Sequence, residues 1–182
     1  MANIGSTFRT NEPDLTSLME QIHGGEIQLP DFQREWVWDD DHIRSLIASI
    51  SLSYPIGSVM LLEAGGTGAR FKPRTVQGSP TNGGKKPEFL ILDGQQRMTS
   101  LYLALRSGTA VPTRTEKGQD IERVYYLDIA KCLDPEVDRE DAVLSLPANR
   151  MRLIDFNRVV ELDVSSPEIG RASCRERVSL NV

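Results

Sequence analysis

Apolar residues recur at helical spacing in two segments of the first third of the chain, and each segment carries a signal for a helix start. In Asn11–Ile22 they fall at positions i, i+3, i+4 and i+7, with Asn11 as N-cap and Pro13 in the first turn. The second segment follows three aspartates at 39–41, whose charge suits the positive end of a helix dipole. We therefore predict two amphipathic helices, joined by an extended stretch over 26–32.

A four-residue apolar run, Phe89–Leu92, predicts a buried strand in the middle of the chain, and it leads directly into Asp93 and Gly94. After the glycine, apolar residues again recur at helical spacing and predict a third helix. Its buried stripe consists of Met98, Leu101, Tyr102 and Leu105. Apolar runs at 58–62 and 122–128 predict two more strands. This mixture of helices and strands indicates the α+β class.

The remaining segments have weaker patterns. Residues 65–87 are rich in Gly, Pro, Thr and Lys and have no apolar periodicity, which predicts a mobile surface loop. Residues 107–120 predict a second loop. Asp134 and Pro135 have the order of an N-cap and a first helical residue, and Met151–Leu162 predicts a last helix.

The composition is that of one globular domain. The 182 residues are 39% hydrophobic and 26% charged, and the two cysteines form no disulfide framework. No secretory signal and no membrane-spanning run is present, so we expect a cytoplasmic protein without membrane contact. The net charge of −5 gives no general argument for a nucleic-acid partner. We expect one domain over 1–165, and the abrupt change of composition at Gly170–Val182 predicts a non-native or disordered tail over 166–182.

The predicted strand–turn–helix unit around Gly94 has the properties of an anion site. The first turn of a helix presents unpaired backbone N–H groups and the positive end of the dipole, and a glycine lets a ligand approach closely. Arg97 opposes this dipole at a cost of about 0.3–1 kcal/mol, which a bound anion would remove. Its guanidinium can clamp a phosphate, and Gln95 and Gln96 add neutral donors and acceptors.

The same residues also have a purely structural interpretation, and the residue pattern leaves both open. Asp93 is either the N-cap of the helix or a ligand of hydrated Mg²⁺ beside a phosphate. Arg97 is either the phosphate clamp or a surface arginine paired to a carboxylate.

A second cluster of chemistry-bearing residues precedes the second helix. Gln33 and Arg34 fall in an extended segment that also contains Phe32, Trp36 and Trp38. Such a segment can cover a phosphate or a base. Large aromatic side chains mostly pack, so we predict that both tryptophans are packing residues. For Arg34, a binding role and a solvated side chain are equally open.

Other kinds of site find no support in the pattern. The glycines at 65–68 and 83–86 lack P-loop spacing, and His23 and His42 have no partner at zinc-ligand spacing. There is no catalytic triad and no His/Asn cluster of nuclease type. The predicted loop carries several basic residues, which we expect to be solvated rather than bound to DNA. They are Arg70, Lys72, Arg74, Lys85 and Lys86.

Three segments, in order, resemble the N-terminal domain of GmrSD-type restriction endonucleases, which act on modified DNA. They are Leu29–Arg34 with the two tryptophans that follow, Ile56–Ser58, and Leu92–Leu101. The last contains the run Asp-Gly-Gln-Gln-Arg after an apolar strand, which is the most specific of the three. The resemblance covers roughly residues 15–156.

The resemblance implies a fold similar to ParB and sulfiredoxin, with a small mixed sheet flanked by helices. It also implies binding and hydrolysis of a nucleoside triphosphate with Mg²⁺, in a system that restricts foreign DNA with modified bases or backbone. Carried over to this sequence, the phosphates are lined by Asp93, Gly94, Gln95, Gln96, Arg97 and Thr99, with Gln33 and Arg34 completing the pocket. Asp93, Gln96 and Arg97 then carry the catalysis, and Asp93 also holds the metal.

Full-length members of that family often carry a nuclease domain with a His-Asn-His centre, which this chain lacks. Cleavage of modified foreign DNA therefore requires a further domain or a partner subunit. Two alternatives to a nucleoside triphosphatase stay open. One is a non-catalytic, nucleotide-gated DNA-binding switch of ParB type, and the other is an inactive fragment.

Overall fold

Residues 13–65, 71–80, 84–154 and 159–165 are described by the structure, which is a computed structural model. Within these residues the chain forms five helices and nine strands, and the strands make up three separate sheets. This architecture confirms the α+β class. The predicted N-cap Asn11 and the predicted tail over 166–182 lie outside the described residues.

The first sheet is small and mixed, and it carries the segments singled out above. Its strand order is β2-β4-β1-β3. β4 runs parallel to β1, whereas β2 pairs with β4 and β3 pairs with β1 in antiparallel fashion. The four strands are β1 (Ile27–Pro30), β2 (Met60–Glu63), β3 (Pro73–Arg74) and β4 (Phe89–Asp93).

Three helices supply the other side of the main core. They are α1 (Leu15–His23), α2 (Asp40–Ser51) and α3 (Gln95–Leu105). Ile91 of β4 and Leu101 and Tyr102 of α3 are completely buried, together with Ile22 of α1. Burial of such side chains contributes about 1.5–3 kcal/mol each, so this core fixes α3 against the sheet. Leu105, predicted as part of the buried stripe, is half-exposed because it is the last residue of α3.

Aspartate side chains cap the first two helices. α1 begins later than predicted, because Asp14 is its N-cap and accepts the Ser17 N–H at 2.9 Å. α2 starts as predicted, with Asp39 accepting the His42 N–H at 2.9 Å. Burial raises the pKa of Asp39, but hydrogen bonds from the backbone and ring of His42 outweigh it and hold that pKa below its usual value. The His42 side chain itself is exposed.

The segment predicted as a mobile loop over 65–87 contains structure that ties it to the core. β3 pairs with β1, and Val76 is buried in the main core. The prediction of a mobile surface loop was therefore wrong for residues 73–76, which include β3 and the buried Val76. A two-residue strand and a single apolar anchor leave no periodicity for a pattern to show.

The second sheet has the order β5-β6-β7 and is antiparallel throughout. The strands are β5 (Val111–Arg114), β6 (Asp120–Leu127) and β7 (Val143–Pro147), with α4 (Ile129–Leu133) and α5 (Arg139–Ala142) between the last two. The loop predicted over 107–120 was thus wrong for residues 111–114, since β5 alternates buried and exposed residues against β6. The helix start at Asp134 was also wrong, because Asp134 ends α4.

The helix predicted over 151–162 was wrong as well. The structure has an antiparallel hairpin there, formed by β8 (Met151–Ile154) and β9 (Val159–Asp163). Val159 and Val160 are β-branched, which favours a strand. The apolar spacing fits both structures, and pairing between the two strands decides between them.

Candidate functional site

Gly94 alone joins β4 to α3, and its backbone is left-handed. It is the N-cap residue of α3, with φ of +88°, and no side chain caps the helix. The interpretation of Asp93 as the helix cap is therefore wrong. The N–H groups of Gln95, Gln96 and Arg97 precede the first intrahelical bond, from the Met98 N–H to the Gly94 carbonyl. They form the uncapped, positively polarised turn that anions favour.

The Asp93 side chain is 69% exposed beside this turn. One oxygen of its carboxylate lies 3.6 Å from Nη2 of Arg97. Among the described residues no group of three or more His, Cys, Asp or Glu side chains is placed to hold a metal. A lone carboxylate suits Mg²⁺, which is commonly held by one or two carboxylates together with phosphate oxygens.

Arg97 is fixed by backbone carbonyls rather than free in solvent. Its Nη1 donates to the carbonyl oxygen of Ile56, and its Nη2 donates to that of Ser58 at 2.8 Å. Gly57 lies between these two carbonyls with φ of +89°, and an added Cβ there would overlap the guanidinium. The positive charge near the helix start is thus already compensated without an anion. Arg97 ties the 56–58 segment to α3, and only 21% of its side chain is exposed.

Three glutamines join the extended segment after β1 to β4 and α3. Gln33 Nε2 donates to the carbonyls of Ile91 and Leu92, at 3.2 and 2.8 Å. Gln95, which is buried, donates from Nε2 to the Arg34 carbonyl at 2.6 Å. Gln96 makes two bonds to the same segment. It donates from Nε2 to the Glu35 carbonyl and accepts the Val37 N–H, each at 3.0 Å.

The glutamine bonds place Arg34 beside the first turn of α3. The Arg34 side chain is exposed, and among the described residues it has no hydrogen-bond or ion-pair partner. Arg74 supports it from the other side, donating from Nη2 to the carbonyls of Gln33 and Arg34 at 3.1 and 3.0 Å. Sequence reasoning assigned Arg74 to a solvated loop, and its only signal was the local positive charge.

Thr99 lies away from this surface. Its side chain is completely buried, and Oγ1 has no hydrogen-bond partner among the described residues. The structure therefore brings Gln33, Arg34 and residues 93–97 together and leaves Thr99 in the interior. Trp36 and Trp38 are packed, as predicted. They pack against a second cluster of buried residues, which includes Ile43 of α2, Leu103 of α3 and Val111 of β5.

The chain matches the family described as GmrSD restriction endonuclease, N-terminal domain, over residues 15–168. It belongs to this family. In this GmrSD N-terminal domain the matched range includes every segment that builds the site, from β1 through α3. Among the described residues no helix is both long enough and apolar enough to cross a membrane.

The chain is also similar to an uncharacterised protein of the archaeon Methanocaldococcus jannaschii. The two are 32% identical over 137 residues, which is 73% of this chain and 23% of that protein. The chain therefore spans less than a quarter of the length of this relative.

Proposed function

We propose that this GmrSD N-terminal domain binds a nucleoside triphosphate at the start of α3 and hydrolyses it to regulate DNA cleavage in a restriction system. The observation that carries the proposal is the uncapped turn behind Gly94 with its three backbone N–H groups, next to which Gln95 holds the Arg34 backbone. The Arg34 side chain is exposed and has no partner among the described residues. A phosphate chain satisfies such N–H groups and neutralises such a cation.

The residues divide into those that build the site and those that are available to a ligand. Gln33, Gln95 and Gln96 use their amides on backbone groups, which fixes the distance between Arg34 and the helix start. The ligand would then be held by the amides of residues 95–97 and by Arg34. Two Arg97 nitrogens are bound to carbonyls, but a guanidinium has five N–H donors, so others stay available.

Preorganised donors of this kind stabilise the negative charge that develops during phosphoryl transfer to water. The donors are backbone amides and a guanidinium that two backbone carbonyls hold in place. Little reorganisation of the protein is therefore needed during the reaction. The exposed Asp93 fits a Mg²⁺ ion shared with the phosphates. When bound, that ion would neutralise further charge on the phosphates.

The partners proposed for the whole system lie largely outside this chain. We propose that nucleotide turnover acts on a His-Asn-His nuclease domain or subunit, with modified foreign DNA as its substrate. The much greater length of the archaeal relative leaves room for further domains. The site at the start of α3 requires the nucleotide and Mg²⁺, but none of these partners.

The test is a thermal melt with Mg²⁺ and each of the four nucleoside triphosphates, followed by a phosphate-release assay. At a hundredfold excess over Kd, binding to the folded state adds about 2.7 kcal/mol, which raises Tm by about 5–10 °C in a chain of this size. A rise in Tm with release of phosphate supports the proposal. A rise without release supports the non-catalytic, nucleotide-gated switch, and no rise with any nucleotide refutes the site.

A further inference from the structure

A cleft of about 630 Å³ lies between the extended segment at 36–38 and the β5–β6 hairpin. Its size is within the range of small-molecule sites, 300–1,000 Å³ in round terms. Both tryptophans of the chain line it, together with Val37 and Pro112. Exposed polar side chains also line the cleft, namely the ion pair between Arg114 and Asp120, and Glu122 and Gln77.

The two tryptophans are held in place rather than free to move. Trp36 donates from Nε1 to Ser100 Oγ at 2.8 Å. The backbone carbonyl of Trp38 accepts a hydrogen bond from the Thr113 hydroxyl at 2.8 Å. The Trp38 ring packs at a tilt against the ring of His42. Both side chains are only partly buried, so each still presents apolar surface. Fixed, partly exposed aromatic rings are suitable platforms for another flat ring.

The cleft adjoins the start of α3. Val37, on the cleft wall, donates its N–H to Gln96 in the first turn. Ser100, which holds Trp36, is five residues after Gln95, a rise of about 7.5 Å along the helix. The cleft wall and the first turns of α3 are therefore linked directly, through the hydrogen bonds of Gln96 to Val37 and of Ser100 to Trp36.

We propose that this cleft binds the base of the nucleotide, stacked against Trp36 and Trp38. The inference rests on the proposed function, because the ring belongs to the same molecule as the phosphates. Base–aromatic stacking tolerates any base, since every base has a π-face. The polar side chains that line the cleft would then bind the hydrogen-bonding edge of the base. Small-molecule sites are commonly built in this way, with apolar walls and a few polar groups that fix the orientation of the ligand.

Tryptophan fluorescence tests this directly, because Trp36 and Trp38 are the only tryptophans of the chain. The intact chain with Mg²⁺ is titrated with a nucleoside triphosphate, with inorganic tripolyphosphate and with a nucleoside. Excitation is at the red edge of tryptophan absorption, where bases do not absorb. We expect saturable quenching by the triphosphate and by the nucleoside, and none by tripolyphosphate, although tripolyphosphate should raise Tm.

Blocking the cleft provides the matched variant. Ala148 is exposed on the cleft wall, and Ala148→Phe places a ring in the space for the base. Ala130→Phe puts the same side chain on an exposed position of α4, which does not line the cleft. Loss of a stacking platform weakens binding by about ten- to hundredfold. We expect that loss for the triphosphate in Ala148→Phe only, with stabilisation by tripolyphosphate unchanged in both variants.

The outcomes separate the two proposals. A triphosphate that raises Tm but leaves tryptophan emission unchanged refutes the base cleft and keeps the phosphate site. Quenching by the nucleoside, lost in Ala148→Phe, without any stabilisation by tripolyphosphate supports the cleft and counts against the phosphate site. Quenching that is equal in both phenylalanine variants also refutes the cleft.

Discussion

The first turn of α3 and the extended segment after β1 differ in what their side chains contact. Gln95, Gln96 and Arg97 in the turn all bind backbone groups of other segments. In the extended segment Gln33 does the same, but the Arg34 side chain binds nothing among the described residues. Gln33, Gln95, Gln96 and Arg97 therefore build the surface, whereas the exposed Arg34 side chain has no partner among the described residues.

Because of this difference, substitutions can separate an effect on stability from an effect on nucleotide affinity, which the motif alone cannot do. Changing a residue that binds backbone should cost stability whether or not a nucleotide is present. Changing Arg34 should cost nucleotide affinity and leave stability unchanged. The following substitutions test this division, in order of their expected effect on the free energy of unfolding.

Gly57→Ala should be the most destabilising, by about 3 kcal/mol. A non-glycine residue at its positive φ costs about 1–2 kcal/mol, and the new Cβ also displaces Arg97 from its two carbonyls. Gly118→Ala is the control, because Gly118 has φ of +77° and no atom near an added Cβ. Urea unfolding should show a smaller loss there, about 1 kcal/mol. Equal losses for both variants would mean that the Arg97 contact contributes nothing.

Arg97→Ala should cost about 2 kcal/mol, since it removes two hydrogen bonds from a charged donor, of which the one to the Ile56 carbonyl is partly buried and the one to the Ser58 carbonyl is exposed. Arg114→Ala, whose partner Asp120 is exposed, should cost less than about 0.5 kcal/mol. When Arg97→Ala is combined with Gly57→Ala, the loss of stability should be about 1 kcal/mol smaller than the sum of the two single losses. Strict additivity would contradict the hydrogen bonding of Arg97 to the segment around Gly57.

Gln95→Leu should cost about 1 kcal/mol. Leucine fills the buried space, but the Arg34 carbonyl keeps only the hydrogen bond from Arg74. Gln119→Leu is the matched control on an exposed turn, and it should change the unfolding free energy by less than about 0.5 kcal/mol. If the buried glutamine proves as replaceable as the exposed one, the extended segment is not held by its amide.

Asp93→Asn should change stability by less than about 0.5 kcal/mol, because its ion pair with Arg97 is long and its carboxylate is exposed. Its expected effect is on the metal. Stabilisation by nucleotide should become the same with Mg²⁺ as with a chelator. Asp41→Asn, which breaks a similar pair with Arg44 at 3.5 Å, should keep the Mg²⁺ dependence. Retained Mg²⁺ dependence in Asp93→Asn would remove Asp93 from the metal site.

The parts of the fold that sequence predicted well are those with local signals. The aspartates before α2 and the apolar run into Gly94 act over a few residues, so a single sequence reveals them. β5, β8 and β9 are four or five residues long, and each depends on pairing with the neighbouring strand of a hairpin. Short apolar patterns fit a strand, a loop or a helix until that pairing is known.

The location of the site could be predicted from the sequence, but the hydrogen bonds that hold its residues together could not. The family resemblance placed Gln33, Arg34, residues 93–97 and Thr99 in one pocket. The structure brings them together except Thr99, which is buried in the interior. That the glutamines bind backbone carbonyls depends on contacts across 58–61 positions of sequence, which no local pattern encodes. Arg74 was missed for the same reason. Whether these residues also contact phosphate stays a prediction.

The most direct test of the nucleotide site is the affinity of Arg34→Ala for a Mg²⁺–nucleoside triphosphate, measured by calorimetry beside its urea unfolding curve. Lys117→Ala, which removes another exposed positive charge, in the β5–β6 turn, is the control. We expect both variants to unfold within about 0.5 kcal/mol of the native chain. Arg34→Ala should bind about ten- to hundredfold more weakly, as expected for a lost charged hydrogen bond, with Lys117→Ala unchanged. Equal affinity in Arg34→Ala and Lys117→Ala would contradict the proposed site.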